Sequence, residues 1–350
     1  MPLSPIRIGI IGAGANTRKM HLPLLQKIEG VTVTEVANRT RSSSERVAAE
    51  FNIPRVREHW RDIIDSKEVD AVVIGTWPYL HAEATCAALE AGKHVLCEAR
   101  MAMNAAEARK MLAASRRHPR LTAQLVPSPF TLRVDRTVQR ILGEGGLGAL
   151  RHFSFQFCGP PPMPPRGPLH WRRDHRLSGM NTLVLGIAYE SLLRWLGPAE
   201  QVRALARVFQ REAVDPDTGQ PVEVEVPDYL TVQIEMPGSL LGTFTMFESG
   251  APGPPNRYQL FGDRAMLEVD FQPGGGARLG RAGEKTLHPV DIPPEEAGGW
   301  RVEEEFINAI RGKETVTYTP FETGVDYMVF TEAVYRSWTQ GGKTVALDTI

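Results

Sequence analysis

The order of apolar and polar positions in the first third of the chain predicts alternating strands and helices. Short apolar runs predict strands buried on both faces, at Ile6–Ile11, Val31–Ala37, Ala71–Gly75, His94–Cys97 and Leu121–Val126. Helical periodicity predicts helices between them, at Met20–Ile28, Ser43–Phe51, His81–Ala91 and Asn104–Ala114. Repeated strand–helix–strand units favour a parallel, doubly wound sheet with right-handed crossovers. We therefore predict an α/β domain over residues 1–124.

The pattern changes after residue 124. Strands alternating in apolar and polar residues are predicted at Ala149–Phe157, Gln201–Val208, Tyr229–Glu235, Leu241–Phe247, Tyr258–Phe261 and Ala265–Phe271. Helices are predicted at Arg133–Leu142, Asn181–Leu196, Val302–Arg311 and Phe321–Gln340. The proline-rich segment Gly159–Pro165 predicts a loop. Residues 125–350 are thus expected to form an α+β domain with an open, mostly antiparallel sheet, whose uncovered face favours a homodimer or homotetramer.

Composition narrows the class of protein. The 350 residues carry 41 acidic and 40 basic side chains, so the charge favours neither nucleic acid nor a membrane surface as partner. The three cysteines include no Cys-x-x-Cys pair, and no metal site is predicted. The start, Met1–Pro5, shows no signal-peptide pattern, and no apolar run is long enough to span a bilayer. We expect a cytoplasmic protein that binds a small molecule.

A glycine-containing turn follows the first predicted strand. Its first glycine allows a tight turn, and its second lets the backbone approach a pyrophosphate at the start of a helix. The third position of this dinucleotide fingerprint is Thr17 rather than glycine or alanine, so the literal motif is weaker than its context in a doubly wound (Rossmann) domain. The predicted pyrophosphate contacts are Gly12, Gly14, Ala15, Asn16 and Thr17.

The end of the second predicted strand bears on the choice of dinucleotide. An NAD-specific site commonly places an acidic residue here, on the ribose hydroxyls. Asn38 has no charge to repel a 2′-phosphate, Arg39 can pair with one, and Ser43 adds a donor. We therefore favour NADP(H) over NAD(H). Alternatively, Arg39 lies solvated over the adenine.

The loop after the third long apolar run should border the same crevice, because it leaves the carboxyl edge of a parallel sheet. Thr76 and Trp77 are predicted to contact the cofactor. Trp77 either stacks near the nicotinamide or substrate, or anchors the loop. His81 opens the following helix and is assigned to the cofactor site, although a structural role suits it better than a catalytic one.

Several segments resemble one family. Residues Ala88–Arg100 read Ala-Leu-Glu-Ala-Gly-Lys-His-Val-Leu-Cys-Glu-Ala-Arg, and they resemble the end of the nucleotide-binding domain in the glucose–fructose oxidoreductase / inositol dehydrogenase (Gfo/Idh/MocA) family. The resemblance continues through Pro168–Asp174, Leu193–Gly197, Tyr258–Arg264, Phe306–Gly312 and Thr331–Ala333. It implies an NAD(P)-dependent oxidoreductase acting on a sugar, cyclitol or related polyol, with Glu98 at the cofactor.

The resemblance also implies that three proton-handling residues are missing. The family's Glu-Lys-Pro tripeptide reads Glu98-Ala99-Arg100 here, which removes the lysine. Aligned on Gly186 and Arg194-Trp195, the family's aspartate and histidine positions hold Val184 and Ala188. We expect the family's usual proton transfer not to operate unchanged in this chain.

Other polar side chains are candidates for the missing roles. Asn181 would share a helical face with Val184 and Ala188. Before this helix lies a polar cluster from which His170 and His175 can serve as acid or base, while Arg172 and Arg173 can hold an anionic or polyhydroxylated ligand. Alternatively, the cluster is a solvated loop anchored by Trp171. Arg100 cannot replace a lysine as a base, but it can bind a phosphate or carboxylate. Glu190 is expected to pair with an arginine.

Two functions of different class stay open. The first is an NAD(P)-dependent oxidoreductase with non-standard acid–base residues, or a lyase or hydrolase that oxidises a sugar transiently. The second is a dinucleotide-binding protein without dehydrogenase activity, acting as a sensor or assembly partner.

Overall fold

The computed structural model describes residues 5–161, 164, 166–249 and 251–350. Two predictions fall partly outside these residues. One concerns the start of the chain, at Met1–Ser4, and the other the proline-rich loop, at Pro162, Met163 and Pro165. The chain forms two compact units. The first comprises the described residues up to Pro127 together with Arg301–Val325, and the second comprises Ser128–Trp300 and Asp326–Ile350. The boundary at residue 124 stays a prediction.

A six-stranded parallel sheet forms the centre of the first unit. Its strands are β1 (Ile6–Ile11), β2 (Val31–Ala37), β3 (Arg55–Val56), β4 (Ala71–Ile74), β5 (His94–Cys97) and β6 (Ala123–Leu125). They are arranged in the order β3-β2-β1-β4-β5-β6, so the strand order reverses between β1 and β4. The predicted doubly wound sheet is confirmed. Such a reversal opens a crevice at the carboxyl ends of the strands, where ligands bind.

Helices flank this sheet because the strands are apolar on both faces and both faces need cover. They are α1 (Leu22–Leu25), which follows a π-helical turn at Thr17–His21, α2 (Arg41–Phe51), α3 (Trp60–Asp65), α4 (Pro78–Glu90), α5 (Ala105–Arg117) and, from the distant segment, α9 (Val302–Ile310). Asn104 begins α5 by accepting a hydrogen bond from the Glu107 amide at 2.9 Å. The sequence did not indicate β3 or α3, since both are too short for a periodic signal.

A nine-stranded sheet forms the centre of the second unit. Its long strands are β7 (Leu150–Gly159), β8 (Gln201–Arg207), β11 (Tyr229–Met236), β12 (Leu240–Glu248), β13 (Arg257–Gly262), β14 (Ala265–Asp270) and β15 (Ala277–Arg281). The short strands β16 (His288–Pro289) and β17 (Val345–Ala346) lie at its edges, and β9 (Glu212–Val214) pairs separately with β10 (Pro221–Glu223). Neighbouring strands are antiparallel except for β7 and β12, which confirms the mostly antiparallel prediction.

The two faces of this sheet differ in polarity. Alternate residues such as Phe153, Phe155 and Phe244 are buried on one face, where Phe330 and Trp195 from the helices pack. The opposite face exposes polar side chains together with two large apolar ones, Leu205 at 55% and Leu241 at 52%. Self-association through this open face stays a prediction.

The helices of this unit are α6 (Asp135–Gly143), α7 (His175–Ser178), α8 (Leu185–Leu196) and, from Asp326 onward, α10 (Phe321–Thr339). The prediction of a helix from Asn181 is wrong at its start, because Leu183 adopts a φ of 45°, which interrupts a right-handed helix. Asn181 therefore precedes α8 and does not share a helical face with Ala188. None of the helices in the described part of the chain combines the length and apolar character needed to cross a bilayer.

Candidate dinucleotide site and acid–base residues

The glycine-rich turn packs directly against the loop that follows β4. Gly12 has a φ of +81°, and a Cβ atom there would lie 2.5 Å from Thr76 Cγ2 and 2.8 Å from the Thr76 amide nitrogen. A side chain on Gly75 would likewise meet the Thr17 hydroxyl at 2.1 Å and the Gly12 carbonyl oxygen at 2.3 Å. Only glycine fits at either position. Thr17, at the third position of the fingerprint, is buried, and its hydroxyl donates to the Gly12 carbonyl oxygen at 3.4 Å.

A cavity of about 570 Å³ lies over the carboxyl ends of β1, β2 and β4. The structure brings seven of the predicted cofactor residues to its wall: Gly12, Gly14, Asn38, Arg39, Ser43, Thr76 and Trp77. Further wall residues were not indicated by the sequence: Glu58, His59, Trp60, Tyr79, Leu80 and Glu83. Of these, Trp60 begins the short helix α3 and His59 caps it, while Tyr79, Leu80 and Glu83 lie on α4. Ala15 and Asn16 lie exposed just beyond the wall, at the start of the π-helical turn.

Asn38 forms hydrogen bonds with two segments of the cavity wall. Its side-chain oxygen accepts from the Ala13 amide at 2.7 Å, and its amide nitrogen donates to the Ser43 hydroxyl at 3.0 Å. The Asn38 backbone donates to the Ser44 hydroxyl at 2.8 Å. The asparagine thus joins the glycine-rich turn to the start of α2 and contributes no negative charge.

Arg39 and Trp77 form a pair across the mouth of this cavity. The guanidinium carbon of Arg39 lies 5.9 Å from the centre of the Trp77 ring. This is a cation–π distance, and the arginine side chain is exposed. The positively charged guanidinium of Arg39 therefore lies next to Asn38. Trp77 packs against this guanidinium and does not serve only as a buried loop anchor.

His81, which was assigned to the cofactor site, is not among the residues that line this cavity. Its ring is fully buried, with Nδ1 2.9 Å from the Arg100 carbonyl oxygen and Nε2 3.0 Å from the Thr76 carbonyl oxygen. Burial lowers the pKa of His81. The ring joins two loops of the first unit and presents no surface to a ligand. Arg100 is also buried, at 3% exposure, which argues against the ligand-binding role expected of it.

Glu98 belongs to a buried cluster that the sequence did not indicate. Its carboxylate lies 2.9 Å from His21 Nε2, and His21 Nδ1 lies 2.5 Å from the Glu303 carboxylate on α9. Asn16 donates its side-chain amide to the same oxygen of Glu98. Burial disfavours a charged ring, but the hydrogen bonds with Glu303 and Glu98 outweigh it and raise the pKa of His21 to about 9. The same contacts lower the pKa of Glu98 against the effect of its own burial.

In the second unit, Arg173 is structural rather than substrate-binding. Its guanidinium is buried and donates to Asp228 at 3.1 Å, to Glu248 at 2.9 Å and to the Val226 carbonyl at 3.0 Å. The guanidinium therefore donates to acceptors of the protein itself, which argues against the ligand-binding role predicted for Arg173.

The other residues of the polar cluster separate. His170 is exposed, and its Nδ1 accepts from the Arg172 amide at 3.3 Å. The Arg172 guanidinium stacks 4.3 Å from the centre of the Trp171 ring. His175 instead faces a pocket of about 210 Å³ that it shares with Asn181, Glu225, Tyr335 and Trp338. Its ring stacks on Tyr335 at 6.0 Å between centres. Of the three candidate catalytic residues, the structure thus brings together His175 and Asn181.

The positions aligned with the family's aspartate and histidine differ in their surroundings. Ala188 is fully buried in the second unit, and its carbonyl oxygen accepts from the Tyr258 hydroxyl at 2.6 Å. Val184 immediately precedes α8 and is partly exposed. The predicted pairing of Glu190 is confirmed, since its carboxylate accepts from Arg194 at 2.6 Å. The described residues contain no group of three or more His, Cys, Asp or Glu side chains placed to hold a metal ion.

Two family models match this chain. The model described as "Oxidoreductase family, NAD-binding Rossmann fold" matches residues 6–124, and the "GFO/IDH/MocA C-terminal domain" matches residues 136–268. A similar protein is the dTDP-3,4-didehydro-2,6-dideoxy-alpha-D-glucose 3-reductase of Saccharopolyspora spinosa, at 30% identity over 60% of this chain and 62% of that one. The trans-1,2-dihydrobenzene-1,2-diol dehydrogenase of Mus musculus is 29% identical over 75% of this chain and 74% of its own.

A solved structure has the same fold over almost the whole length. Levoglucosan dehydrogenase in complex with NADH and levoglucosan superposes with a TM-score of 0.84 at 19% identity, covering 98% of this chain and all of that one. The likeness at this identity establishes the architecture of the chain.

Proposed function

Because the chain belongs to the GFO/IDH/MocA oxidoreductase family, we propose that it transfers a hydride between a nicotinamide dinucleotide and a sugar, cyclitol or related polyol. The observation that carries the proposal is the cavity where the strand order reverses, with glycine required at both Gly12 and Gly75. The bound nicotinamide would supply the hydride chemistry itself. The substrate class is supported by the relatives, one named for a dideoxyglucose nucleotide and one for a cyclic diol.

Within this function, we propose a preference for NADP(H) over NAD(H). No carboxylate stands at Asn38, whose amide is already bonded to Ala13 and Ser43. Arg39 is exposed at the cavity mouth, where a guanidinium can pair with a 2′-phosphate.

Replacing Arg39 with aspartate is expected to weaken NADPH binding by about tenfold or more and to leave NADH affinity within about threefold. The reason is that only NADPH carries the phosphate that a carboxylate repels. Isothermal titration with both dinucleotides measures this. The control is Arg46→Asp, an exposed arginine on the following helix α2 that does not line the cavity. Equal losses for NADPH and NADH would contradict the preference.

The proton transfer is proposed to use residues other than the family's. Oxidising a hydroxyl sends the C–H hydride to the nicotinamide and the O–H proton to a base. With alanine at 99 and 188 and valine at 184, none of the three aligned positions can accept that proton. His175 is the proposed acceptor, since a ring nitrogen of an imidazole can take up a proton and its pocket also holds the polar side chain of Asn181. Tyr335 and Trp338 give this pocket the apolar surface that the face of a sugar ring needs.

The experiment is a panel of sugars, cyclitols and cyclic diols, with turnover followed by the absorbance of the reduced nicotinamide. His175→Gln is expected to lower kcat by about 10²–10⁴-fold with little change in dinucleotide affinity. His170→Gln is the matched control, an exposed histidine of the same segment outside the pocket. Full activity of the His175→Gln variant would contradict the role of His175.

Ala188 stands at the position aligned with the family's histidine, and it is completely buried. This observation favours a second candidate function, a dinucleotide-binding protein without dehydrogenase activity. Tight binding of a dinucleotide without turnover of any compound in the panel would support it over the enzyme.

A further inference from the structure

The buried cluster of Glu98, His21 and Glu303 connects the glycine-rich turn with two other segments of the first unit. Glu98 follows β5, His21 ends the π-helical turn, and Glu303 lies on α9. His21 is 0% exposed and the side chain of Glu303 is 2% exposed. Asn16, four residues after Gly12, reaches the cluster through its hydrogen bond to Glu98.

We propose that His21 is a positioning residue of the dinucleotide site, which as an imidazolium holds the Glu98 carboxylate against Asn16 and offsets its negative charge. The inference rests on the proposed binding of a dinucleotide. A pyrophosphate at the start of the turn would lie close to Asn16, where an unbalanced carboxylate would repel it. With a charged ring the cluster of two carboxylates and one imidazolium carries one net negative charge. With a neutral ring it carries two.

The charged groups around His21 are compatible with a protonated ring. Glu98 faces the ring from the end of β5 and Glu303 faces it from α9, and both lie within hydrogen-bonding distance. On its own turn, Arg18 pairs with Glu50 at 2.6 Å and Lys19 is exposed. His81 of α4 is a further titratable group that acts on Glu98, and burial lowers the pKa of His81, which disfavours a charge on its ring. The two carboxylates are what keep His21 protonated, up to a pKa of about 9.

A pH profile tests the proposal. In the wild type, NADPH affinity is expected to hold from pH 7 to 8 and to weaken by about tenfold as the pH rises through the pKa of His21. The reduced dinucleotide is the probe because it is stable in alkali and its 2′-phosphate is fully ionised above pH 7.5. His21→Gln is expected to bind more weakly at pH 7 and to lose the pH dependence.

Glu303→Gln keeps an oxygen acceptor for Nδ1 but removes one carboxylate, so the ring loses its proton more readily. Its affinity is expected to fall at a pH about one unit lower than in the wild type. Glu305→Gln is the matched control, a buried glutamate of the same helix whose partners are Gln124 and Thr317. It should keep the wild-type profile.

Circular dichroism and the melting temperature establish that each variant is folded, and Glu303→Gln preserves the test if His21→Gln does not fold. Wild-type binding with profiles that coincide in Glu303→Gln and Glu305→Gln would overturn the positioning role alone. Absence of NADPH and NADH binding by the wild type at millimolar concentration would overturn the proposed function, and this inference with it.

Discussion

Replacing Arg173 with methionine is expected to lower the free energy of unfolding by about 3–5 kcal/mol. The Arg173 side chain is 5% exposed and donates to Asp228, which is 4% exposed, and to Glu248. Methionine fills a similar volume but removes the counter-charge of both carboxylates and the donor to the Val226 carbonyl, while Asp228 keeps the amides of Phe209 and Gln210 as donors. A buried carboxylate without a counter-charge is costly because it has lost its hydration as well. Urea denaturation followed by circular dichroism measures the loss.

The loss of unfolding free energy in Arg173→Met should become smaller as the pH falls. Burial raises the pKa of Glu248 even with Arg173 opposing it, so removing the arginine raises this pKa further. A carboxyl whose folded-state pKa exceeds its unfolded value favours the folded state more as the pH falls. The destabilisation should therefore be smaller at pH 5 than at pH 7.5.

Arg172→Met is the control for this prediction. The neighbouring arginine is exposed and stacks on Trp171, a contact worth about 0.5–1 kcal/mol at such a site. Unchanged stability of Arg173→Met, together with a raised KM for any substrate that the panel identifies, would restore the ligand-binding role that the sequence suggested for Arg173.

The two arginines show what local sequence can and cannot predict. They are adjacent in a polar segment, and no pattern within it distinguishes a buried side chain from an exposed one. The difference arises from Asp228 and Glu248, which lie 55 and 75 residues further along the chain. The same holds for His21, whose partner Glu303 is 282 residues away. Carboxylates that meet a side chain only through the tertiary fold leave no local signal.

The strands of the first unit could be predicted because their signal is local. Strands β1, β2 and β5 have the predicted bounds, since apolar runs buried on both faces end at turns or polar residues. The glycine-rich turn could be located for the same reason, as it follows β1 directly. The wall residues His59 and Trp60 could not, because they belong to a short helix without enough turns to show a period.

The start of α8 shows a different limit. Leu183 and Val184 continue the apolar pattern of the helix towards Asn181, and residue types alone do not reveal the positive φ of Leu183. Because the helix is interrupted at Leu183, Asn181 does not lie on the predicted helical face. Asn181 nevertheless lies in a pocket with His175, which the helical pattern did not predict.

Replacing Gly12 with alanine is expected to weaken dinucleotide binding by about 100-fold or more, the largest effect expected on affinity. The new Cβ would lie 2.5 Å from Thr76 Cγ2 and 2.8 Å from its amide nitrogen, and the φ of +81° is itself unfavourable for alanine. The second contact is with backbone, so the turn and the Gly75–Thr76 loop must separate. That displacement moves two walls of the cavity at once, as well as the amides that should face a pyrophosphate.

Gly92→Ala separates backbone strain from displacement of the site. Gly92 has a φ of +75°, a similar conformational cost of about 1–2 kcal/mol, and nothing within 4 Å of an added Cβ atom. It should lower the melting temperature while leaving the affinity for NADPH and NADH unchanged in isothermal titration. Adding Thr76→Ser to Gly12→Ala removes the methyl group from the closest contact and should recover part of the affinity, but not all, because the amide nitrogen stays. Binding by Gly12→Ala at wild-type affinity would contradict the location of the site, since no dinucleotide held by this turn could tolerate the shift.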